Sequence, residues 1–385
     1  MPHTPIEAYD AWLRGRFAEA NTLLEEAYFA ERAEILGGPR LDKVKQEILL
    51  EGVSLIDRIS DLPTATADRY RLLGLVGFHL AACRRHETGD ASTLAPAWTL
   101  ARLLGSTLGV APRFVFSHQS LYNTAVDGEF ITFTTLPDEA AFIRYNTLGV
   151  LAYQRAAEAL RPIASMGVSN PSAAYLFDSA AAALGDVLAF NRALAEDLDT
   201  ERFFYNIRPY FKPHRVGGME FRGVNAGDFS GVNEIDLLLG LVGPRDPFYL
   251  HLMAEKDAYL PPGDAEATRR AIALADGPGS LLTRLLAEVG DGPATGSLKA
   301  NAEAFLAVCR AHGAAYTFHH HRLVLPFLVA PATQAPPERM STMSASGPPL
   351  DVVVAHLSHL SDLRAARDRP GTAKARLDRL RELVG

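Results

Sequence analysis

Three consecutive histidines stand where an apolar segment begins, in AYTFHHHRLVLPFLVAP (315–331). Imidazole is the commonest metal ligand among side chains, so a histidine that points inward could bind a metal or a metal-bearing cofactor. On a helix, residues three and four positions apart share a face. His320 and His321 share theirs with apolar residues, and His319 with more polar ones. We therefore expect His320 or His321 to face the core and His319 to face water.

The histidines also have a purely structural explanation. A single inward histidine is usually a core residue with satisfied hydrogen bonds. Successive side chains diverge by about 100° around a helix, so the three are poorly placed to bind one metal together. Pro326 removes a ladder hydrogen bond and predicts a kink. This segment alone does not decide between two interpretations: one histidine is a metal ligand, or the three histidines are a polar start of a helix.

A second group of candidate residues lies in ERFFYNIRPYFKPHRVGGMEFRGVNAGDFSGVNEIDLLLGL (201–241). Arg208 precedes Pro209, and the α region is disfavoured before proline, so the helix should end or kink there. A guanidinium would then lie beside the rings of Phe203 and Phe204, where it could bind a carboxylate by two parallel hydrogen bonds. The alternative is a surface arginine at a helix end.

The glycines and small polar residues of GVNAGDFSG (223–231) precede an apolar helix. Ser230 or Asn233 could cap that helix, and backbone N–H groups in such a loop can receive an anion. Many junctions between a loop and a helix share this pattern, so it indicates no particular ligand.

Composition limits the classes of protein. The 385 residues are 48% hydrophobic and 22% charged, as in a soluble globular protein, and the net charge of −7 argues against a nucleic-acid partner. The two cysteines, Cys83 and Cys309, exclude a disulfide framework and a cysteine-rich metal site. The first residues include no apolar signal segment, and no uncharged apolar stretch approaches about 18 residues. We expect a cytoplasmic protein without a membrane span.

Helical periodicity dominates the chain and predicts an all-α, mainly helical fold. FITFTT (130–135), which follows an Asp-Gly turn, predicts a small β-hairpin near the middle. We expect a small helical domain over 1–110 and a larger one over 111–385, with a mobile loop at 332–349. The clearest helical segments are Tyr9–Ala33, Arg69–Cys83, Leu94–Leu108, Ala141–Leu160, Ser172–Leu198, Ser280–Val289, Ser297–Cys309 and Asp351–Arg367.

Together these segments resemble the indoleamine 2,3-dioxygenase superfamily of helical haem enzymes, and most closely its branch typified by PrnB, the ring-rearranging enzyme of pyrrolnitrin biosynthesis. FFYNIRPYFKPHRVGG is similar to that branch's Arg-Pro, aromatic-pair and Arg-Val-Gly-Gly signature. NAGDFSGVNEIDLLLG is similar to the Ser-Ala-Gly loop and Asp-(aliphatic)₃-Gly helix of indoleamine dioxygenases. YTFHHHRLVLPFLVAPATQ is similar to the proximal-histidine helix, and LGVAPRFVFSHQSLYN to the distal-pocket segment.

The resemblance implies a role for each matching residue. His320 would be the proximal haem ligand, and Arg208 would bind the substrate carboxylate. The other implied site residues are Phe203 over the distal face with Phe204 beside it, Ala226 and Gly227 in a loop against haem and substrate, Phe116, Gln119 and Ser120 in the distal segment, and Thr147 near a distal serine position. Residues 341–349 would belong to the closing loop. His118 has no counterpart.

The resemblance implies a haem b enzyme that uses O₂ to oxygenate an aromatic, tryptophan-like amino acid or a derivative, in secondary metabolism. Indoleamine dioxygenases have tyrosine and cysteine where this chain has Phe116 and Gln119, so tryptophan itself is not assured as the substrate. The alternatives are peroxide-dependent hydroxylation of an aromatic amino acid, a haem sensor or carrier without turnover, and a helical scaffold without a cofactor. A non-haem metal site fits less well, because no carboxylate lies at ligand spacing from the histidines.

Overall fold

The computed structural model describes residues 4–331 and 350–385, and these are mainly helical. The α-helices are Pro5–Trp12, Ala18–Ala30, Pro39–Asp57, Thr66–Arg85, Ala95–Leu108, Phe116–Gln119, Pro137–Met166, Ala173–Asp197, Thr200–Arg202, Gly231–Leu239, Pro247–Asp257, Pro262–Asp276, Leu281–Val289, Gly296–His319, Leu350–Arg364 and Lys374–Val384. The π-helices are Leu13–Phe17, Phe203–Ile207 and His320–Val329, and the 3₁₀-helix is Arg208–Phe211. The predicted fold class is confirmed.

The strand predicted at FITFTT (130–135) is wrong. The expected turn does form, because Asp127 and Gly128 have positive φ angles of 52° and 85° and a bridge joins their neighbours. Beyond the turn, however, the backbone N–H groups of Phe133 and Thr134 donate to a carboxylate instead of a second strand. A side-chain acceptor has thus replaced the sheet partner.

The β-hairpin lies later in the chain. Strand His214–Val216 pairs antiparallel with Met219–Phe221, and His214 stands opposite Phe221. Gly217 and Gly218 join the strands with φ angles of 58° and 90°, a conformation that glycine adopts without strain.

The chain forms two compact units. The first contains Met1–Arg144, Asp197–Asp228 and Pro326–Leu350, and the second contains Tyr145–Glu196, Phe229–Leu325 and Asp351–Gly385. The boundary predicted at residue 110 does not coincide with a boundary between these two units. The division into domains over 1–110 and 111–385 stays a prediction. The mobile loop predicted at 332–349 lies outside the described residues.

An aromatic core on both sides of residue 110 explains why that position lies inside the first unit. Phe78 lies 4.7 Å from Phe114 and 4.7 Å from Phe133, measured between ring centroids. Phe114 and Phe133 are 5.2 Å apart and, like Phe78, buried. The burial of three large rings favours one continuous core here.

One helix of the described residues, Ala173–Asp197, is long and apolar enough to cross a membrane by length and composition. A core helix of a soluble protein can meet the same criterion. Phe177, Ala180, Leu184 and Val187 are buried and recur every three or four residues, the pattern of a helix with one face on a core. The absence of a membrane span stays a prediction.

Candidate functional site

Arg208 lies at a change of helix type. The π-helix Phe203–Ile207 ends immediately before it, and the 3₁₀-helix Arg208–Phe211 begins with it. The expected interruption occurs, but Arg208 keeps helical φ and ψ angles of −55° and −34°, so the helix does not end there. Pro209 stands near the start of the 3₁₀-helix, where its missing N–H is tolerated.

The guanidinium of Arg208 is buried and has no countercharge among the described residues. The residue is 7% exposed, and its guanidinium carbon lies 5.5 Å from the centroid of the Phe204 ring. Among the described residues, no carboxylate forms an ion pair with it. Burial lowers the pKa of Arg208 to about 10, so the group is still charged at neutral pH. A buried, unpaired cation is unfavourable unless an anion joins it.

Phe203 and Phe204 are also buried. The ring of Phe203 lies 5.0 Å from that of Phe142 and 6.1 Å from that of Phe327, between centroids. The ring of Phe204 packs edge-on against Tyr205 at 5.2 Å. Aromatic side chains and an arginine without a partner among the described residues therefore lie together in the first unit, and their role towards a substrate stays a prediction.

A buried polar network anchors this segment. The side-chain amide of Asn206 donates to the backbone oxygen of Glu25 at 2.9 Å and to its carboxylate at 3.2 Å. Glu25 also accepts two hydrogen bonds from Arg85, at 2.8 and 2.9 Å. Sequence reasoning missed this network because Glu25 and Arg85 belong to different helices, and only charged residues among apolar neighbours hinted at it.

Phe116, Gln119 and Ser120 are all buried in the first unit. The amide nitrogen of Gln119 lies 3.5 Å from Glu139 Oε1, and its amide oxygen is buried without a partner among the described residues. The Ser120 hydroxyl donates to the backbone oxygen of Phe116 at 3.0 Å, so its hydrogen is already engaged. His118 is buried, and its Nδ1 accepts from the backbone N–H of Val115 at 3.2 Å.

Glu139 organises this distal segment and was missed from the sequence. It accepts hydrogen bonds from the backbone N–H groups of Phe133 and Thr134 at 2.7 Å each, and from the Thr134 hydroxyl at 2.8 Å. All its donors are neutral, and burial raises the pKa of Glu139 to about 7. Its place in an acidic first turn of helix Pro137–Met166 was the available signal.

Ala226 and Gly227 are half-buried in a closed loop. The backbone N–H of Gly227 donates to Asn225 Oδ1 at 2.8 Å. Arg222 closes the loop with two hydrogen bonds to Asp228, at 3.0 and 2.8 Å. The expected place of Ala226 and Gly227 against haem and substrate stays a prediction.

The predicted cap of helix Gly231–Leu239 is wrong. Ser230 occupies the N-cap position without a side-chain hydrogen bond, because its backbone is already helical there. The Asn233 amide instead binds Tyr249 Oη at 2.9 Å and Lys256 Nζ at 3.1 Å. In the same second unit, Thr147 Oγ1 is buried without a partner among the described residues.

The three histidines differ in exposure. His320 is 5% exposed, His319 is half-buried and His321 is exposed. Of the two inward candidates, His320 is therefore the buried one. The prediction that His319 faces water is wrong: its ring packs 5.9 Å from Tyr316, and burial, Arg364 and His320 lower its pKa to about 4. The π-helix that starts at His320 changes the angular spacing on which the prediction depended.

A second buried network is centred on Asp236 and contacts the helix that leads to His320. Asp236 accepts hydrogen bonds from His312 Nε2 and Tyr249 Oη, both at 2.7 Å, and two from Arg364 at 2.7 and 2.9 Å. The Arg364 guanidinium lies 4.1 Å from the Tyr316 ring centroid, on the helix that leads to His320. Burial alone would raise the pKa of Asp236, but Arg364 and His312 hold it well below its usual range.

A protein-family profile described as "Monodechloroaminopyrrolnitrin synthase PrnB" matches residues 3–384. The match includes the first hundred residues, in which no sequence motif was found. The chain belongs to the PrnB family. This confirms the resemblance. The PrnB family consists of haem-dependent oxidoreductases, so the chain is an enzyme.

The residues present fit the haem of the PrnB family. His320 Nδ1 is buried without a hydrogen-bond partner among the described residues, and burial, His321 and Arg367 lower the pKa of His320. A neutral imidazole is a suitable axial ligand. Within residues 4–331 and 350–385, no group of three or more His, Cys, Asp or Glu is placed to bind a metal ion directly. A single imidazole, that of His320, therefore fits the role of an axial haem ligand.

Proposed function

We propose that this PrnB-family enzyme is a haem-dependent oxygenase of a tryptophan-like amino acid or derivative, acting in secondary metabolism. Arg208 binds the carboxylate of the substrate, and His320 is the axial ligand of haem b. The substrate assignment rests on one observation: the guanidinium of Arg208 is buried and has no carboxylate partner among the described residues. Membership of the PrnB family supports the haem assignment.

Bound haem would supply an iron centre for the activation of O₂. The protein's own residues bind and orient the substrate. Arg208 can donate two parallel hydrogen bonds to a carboxylate, which fixes both its position and its plane. Phe203 and Phe204 provide apolar surface for an aromatic ring and exclude water from the Arg208 guanidinium, which strengthens its attraction for an anion.

The residues of the distal segment are better suited to contact an uncharged substrate ring than to act as a general acid or base. Phe116 is apolar, and the Ser120 hydrogen is donated to a backbone oxygen. Gln119 retains one unpaired amide oxygen among the described residues, which could accept a hydrogen bond from a substrate N–H. Thr147 stays a candidate of the second unit because its hydroxyl oxygen has no partner among the described residues.

The carboxylate role is tested with tryptophan and tryptamine, which differ in the carboxylate alone. We expect the haem-loaded protein to bind tryptophan more tightly, by on the order of 2–4 kcal/mol, when the Soret band is followed in a titration. The Arg208→Met variant should lose this preference. The matched control is Arg202→Met, because Arg202 is already paired with Glu26 at 3.0 Å.

An Arg208→Met variant that still prefers tryptophan by the same margin would refute the assignment. Equal loss of preference in Arg202→Met would also contradict it, because the effect would then reflect general positive charge.

A further inference from the structure

A cavity of about 740 Å³ lies in the first unit and is lined by none of the candidate haem or substrate residues. Its walls come from helices Thr66–Arg85 and Ala95–Leu108, the turn between them, and the hairpin that begins at His214. Small-molecule sites typically enclose about 300–1,000 Å³. The cavity therefore has the size of a binding site.

Two polar side chains of the cavity wall are buried and lack normal hydrogen-bond partners among the described residues. His214 is 4% exposed. Its ring approaches the backbone of Lys212, but neither ring nitrogen makes a hydrogen bond of normal geometry with a described residue. Thr88 is 7% exposed, and its hydroxyl oxygen likewise has no partner among the described residues. Buried polar atoms are nearly always paired, so these three atoms indicate where an occupant makes hydrogen bonds.

The hairpin and the surrounding charges fix the state of His214. In strand His214–Val216 the first and last residues are buried and Arg215 is exposed, so the alternation of the strand turns His214 inward. Burial, Arg113 and Arg84 hold the pKa of His214 well below its usual range. A neutral imidazole offers one donor and one acceptor, and the Thr88 hydroxyl can act as either.

The cations that line this cavity are paired with carboxylates, whereas Arg208 has no such partner among the described residues. There are three such cations, and among the described residues none of them is left unpaired to attract an anion. The pairs are Arg84 with Glu87 at 3.8 Å, Arg215 with Glu220 at 3.6 Å, and Lys212 with Glu34. This pattern favours an uncharged occupant.

The rest of the wall is apolar and aromatic. Leu80 and Leu94 are buried, and Trp98 is half-buried. Among the described residues, the Trp98 indole has neither a ring partner nor a hydrogen bond. Its face is therefore available for stacking with a planar ligand.

We propose that this cavity is a second binding site, for a small uncharged aromatic molecule with a hydroxyl or N–H group. The ring packs against Trp98 and the leucines, and the polar group bonds to His214 and Thr88. The inference uses neither His320 nor Arg208, so it is independent of the proposed function.

The two tryptophans, Trp12 and Trp98, make the site observable. Protein labelled with 5-fluorotryptophan gives two ¹⁹F signals, and a Trp12→Phe variant assigns them. We expect phenol or indole, added to the haem-loaded protein, to shift the Trp98 signal saturably and to leave the Trp12 signal in place. Benzoate and benzylamine are the charged controls and should bind more weakly.

Variants test the polar contacts. Thr88→Val keeps the shape of the side chain and should weaken phenol binding by at least about fivefold, and His214→Phe should abolish it. Arg208→Ala should leave the Trp98 shift unchanged, which separates this cavity from the substrate site. If His214→Phe does not fold, the phenol affinity of Thr88→Val alone tests the polar contacts.

Three results would overturn the inference. The first is the absence of a saturable shift with phenol and indole, which would mean that water alone satisfies His214 and Thr88. The second is tighter binding of benzoate or benzylamine than of phenol. The third is unchanged phenol binding in Thr88→Val.

Discussion

Glu139 in the first unit and Asp236 in the second are both fully buried carboxylates, but their partners differ. Glu139 accepts hydrogen bonds from neutral donors alone, and burial raises its pKa to about 7. Asp236 binds Arg364 and His312, which hold its pKa well below the usual range despite burial. Burial alone therefore does not decide the charge of a carboxylate here.

This difference distinguishes residues that we expect to bind a ligand from residues that stabilise the fold. In the first unit, among the described residues, Arg208 has no carboxylate partner and Glu139 has no cation partner, so the positive charge of Arg208 is left uncompensated near the candidate substrate residues. In the second unit, the Asp236 network is compensated and packs against Tyr316, one turn before His320. Unpaired polar groups mark where a ligand is expected, and paired ones hold a helix in place.

The largest expected effect is that of Asp236→Asn. Removing the charge leaves Arg364 buried without compensation, and breaking a buried pair costs about 3–5 kcal/mol. We expect the free energy of unfolding, measured by urea denaturation, to fall by this amount. Asp276→Asn is the control, because Asp276 forms an exposed pair with Arg245 at 2.6 Å and should have little effect. Similar losses in both variants would contradict a supporting role for the buried network.

Glu139 predicts a pH dependence of stability. Its folded pKa of about 7 lies above the ordinary 4.5, so the folded state holds the proton more tightly. This stabilisation is complete below the ordinary pKa and is lost as the pH rises through 7. Between pH 5 and 8 we expect the free energy of unfolding to fall by about 2–3 kcal/mol more in the native chain than in Glu139→Gln. Parallel pH profiles would show that Glu139 is ionised throughout.

The smallest expected effect is that of Arg208→Met on stability. Because Arg208 lacks a carboxylate partner among the described residues, its removal should leave the free energy of unfolding unchanged or raise it by up to about 1 kcal/mol. The comparison is Arg85→Met, which leaves Glu25 buried without its cation and should be strongly destabilising. A large loss of stability in Arg208→Met would show that Arg208 supports the fold instead of awaiting a ligand.

The sequence predicted the parts of the fold and site that depend on local patterns. Helical periodicity predicted the helical fold. The Arg208-Pro209 step predicted an end or kink at a position where the helix instead continues and changes type. The helical pattern predicted that either His320 or His321 faces the core, and His320 is the buried one of the two. These features depend on residues a few positions apart, which is why the sequence shows them.

The features that the sequence did not show depend on long-range contacts. FITFTT has the composition of a strand, but a carboxylate several residues later binds its N–H groups. Asn206 meets Glu25, and Asp236 meets Arg364, across long separations in the chain. His319 packs against Tyr316 and is influenced by the distant Arg364, and the π-helix that begins at the next residue is specified by no residue pattern in HHHRLVLP.

Titration of the protein with haemin tests the central claim most directly. His320 is buried and His321 beside it is exposed, so His320→Ala and His321→Ala form a matched pair. We expect the native chain and His321→Ala to bind one equivalent of haem with the same Soret spectrum. His320→Ala should fail to do so until imidazole is added. Retention of the native spectrum in His320→Ala, or its loss in His321→Ala alone, would contradict the assignment of His320 as the axial ligand.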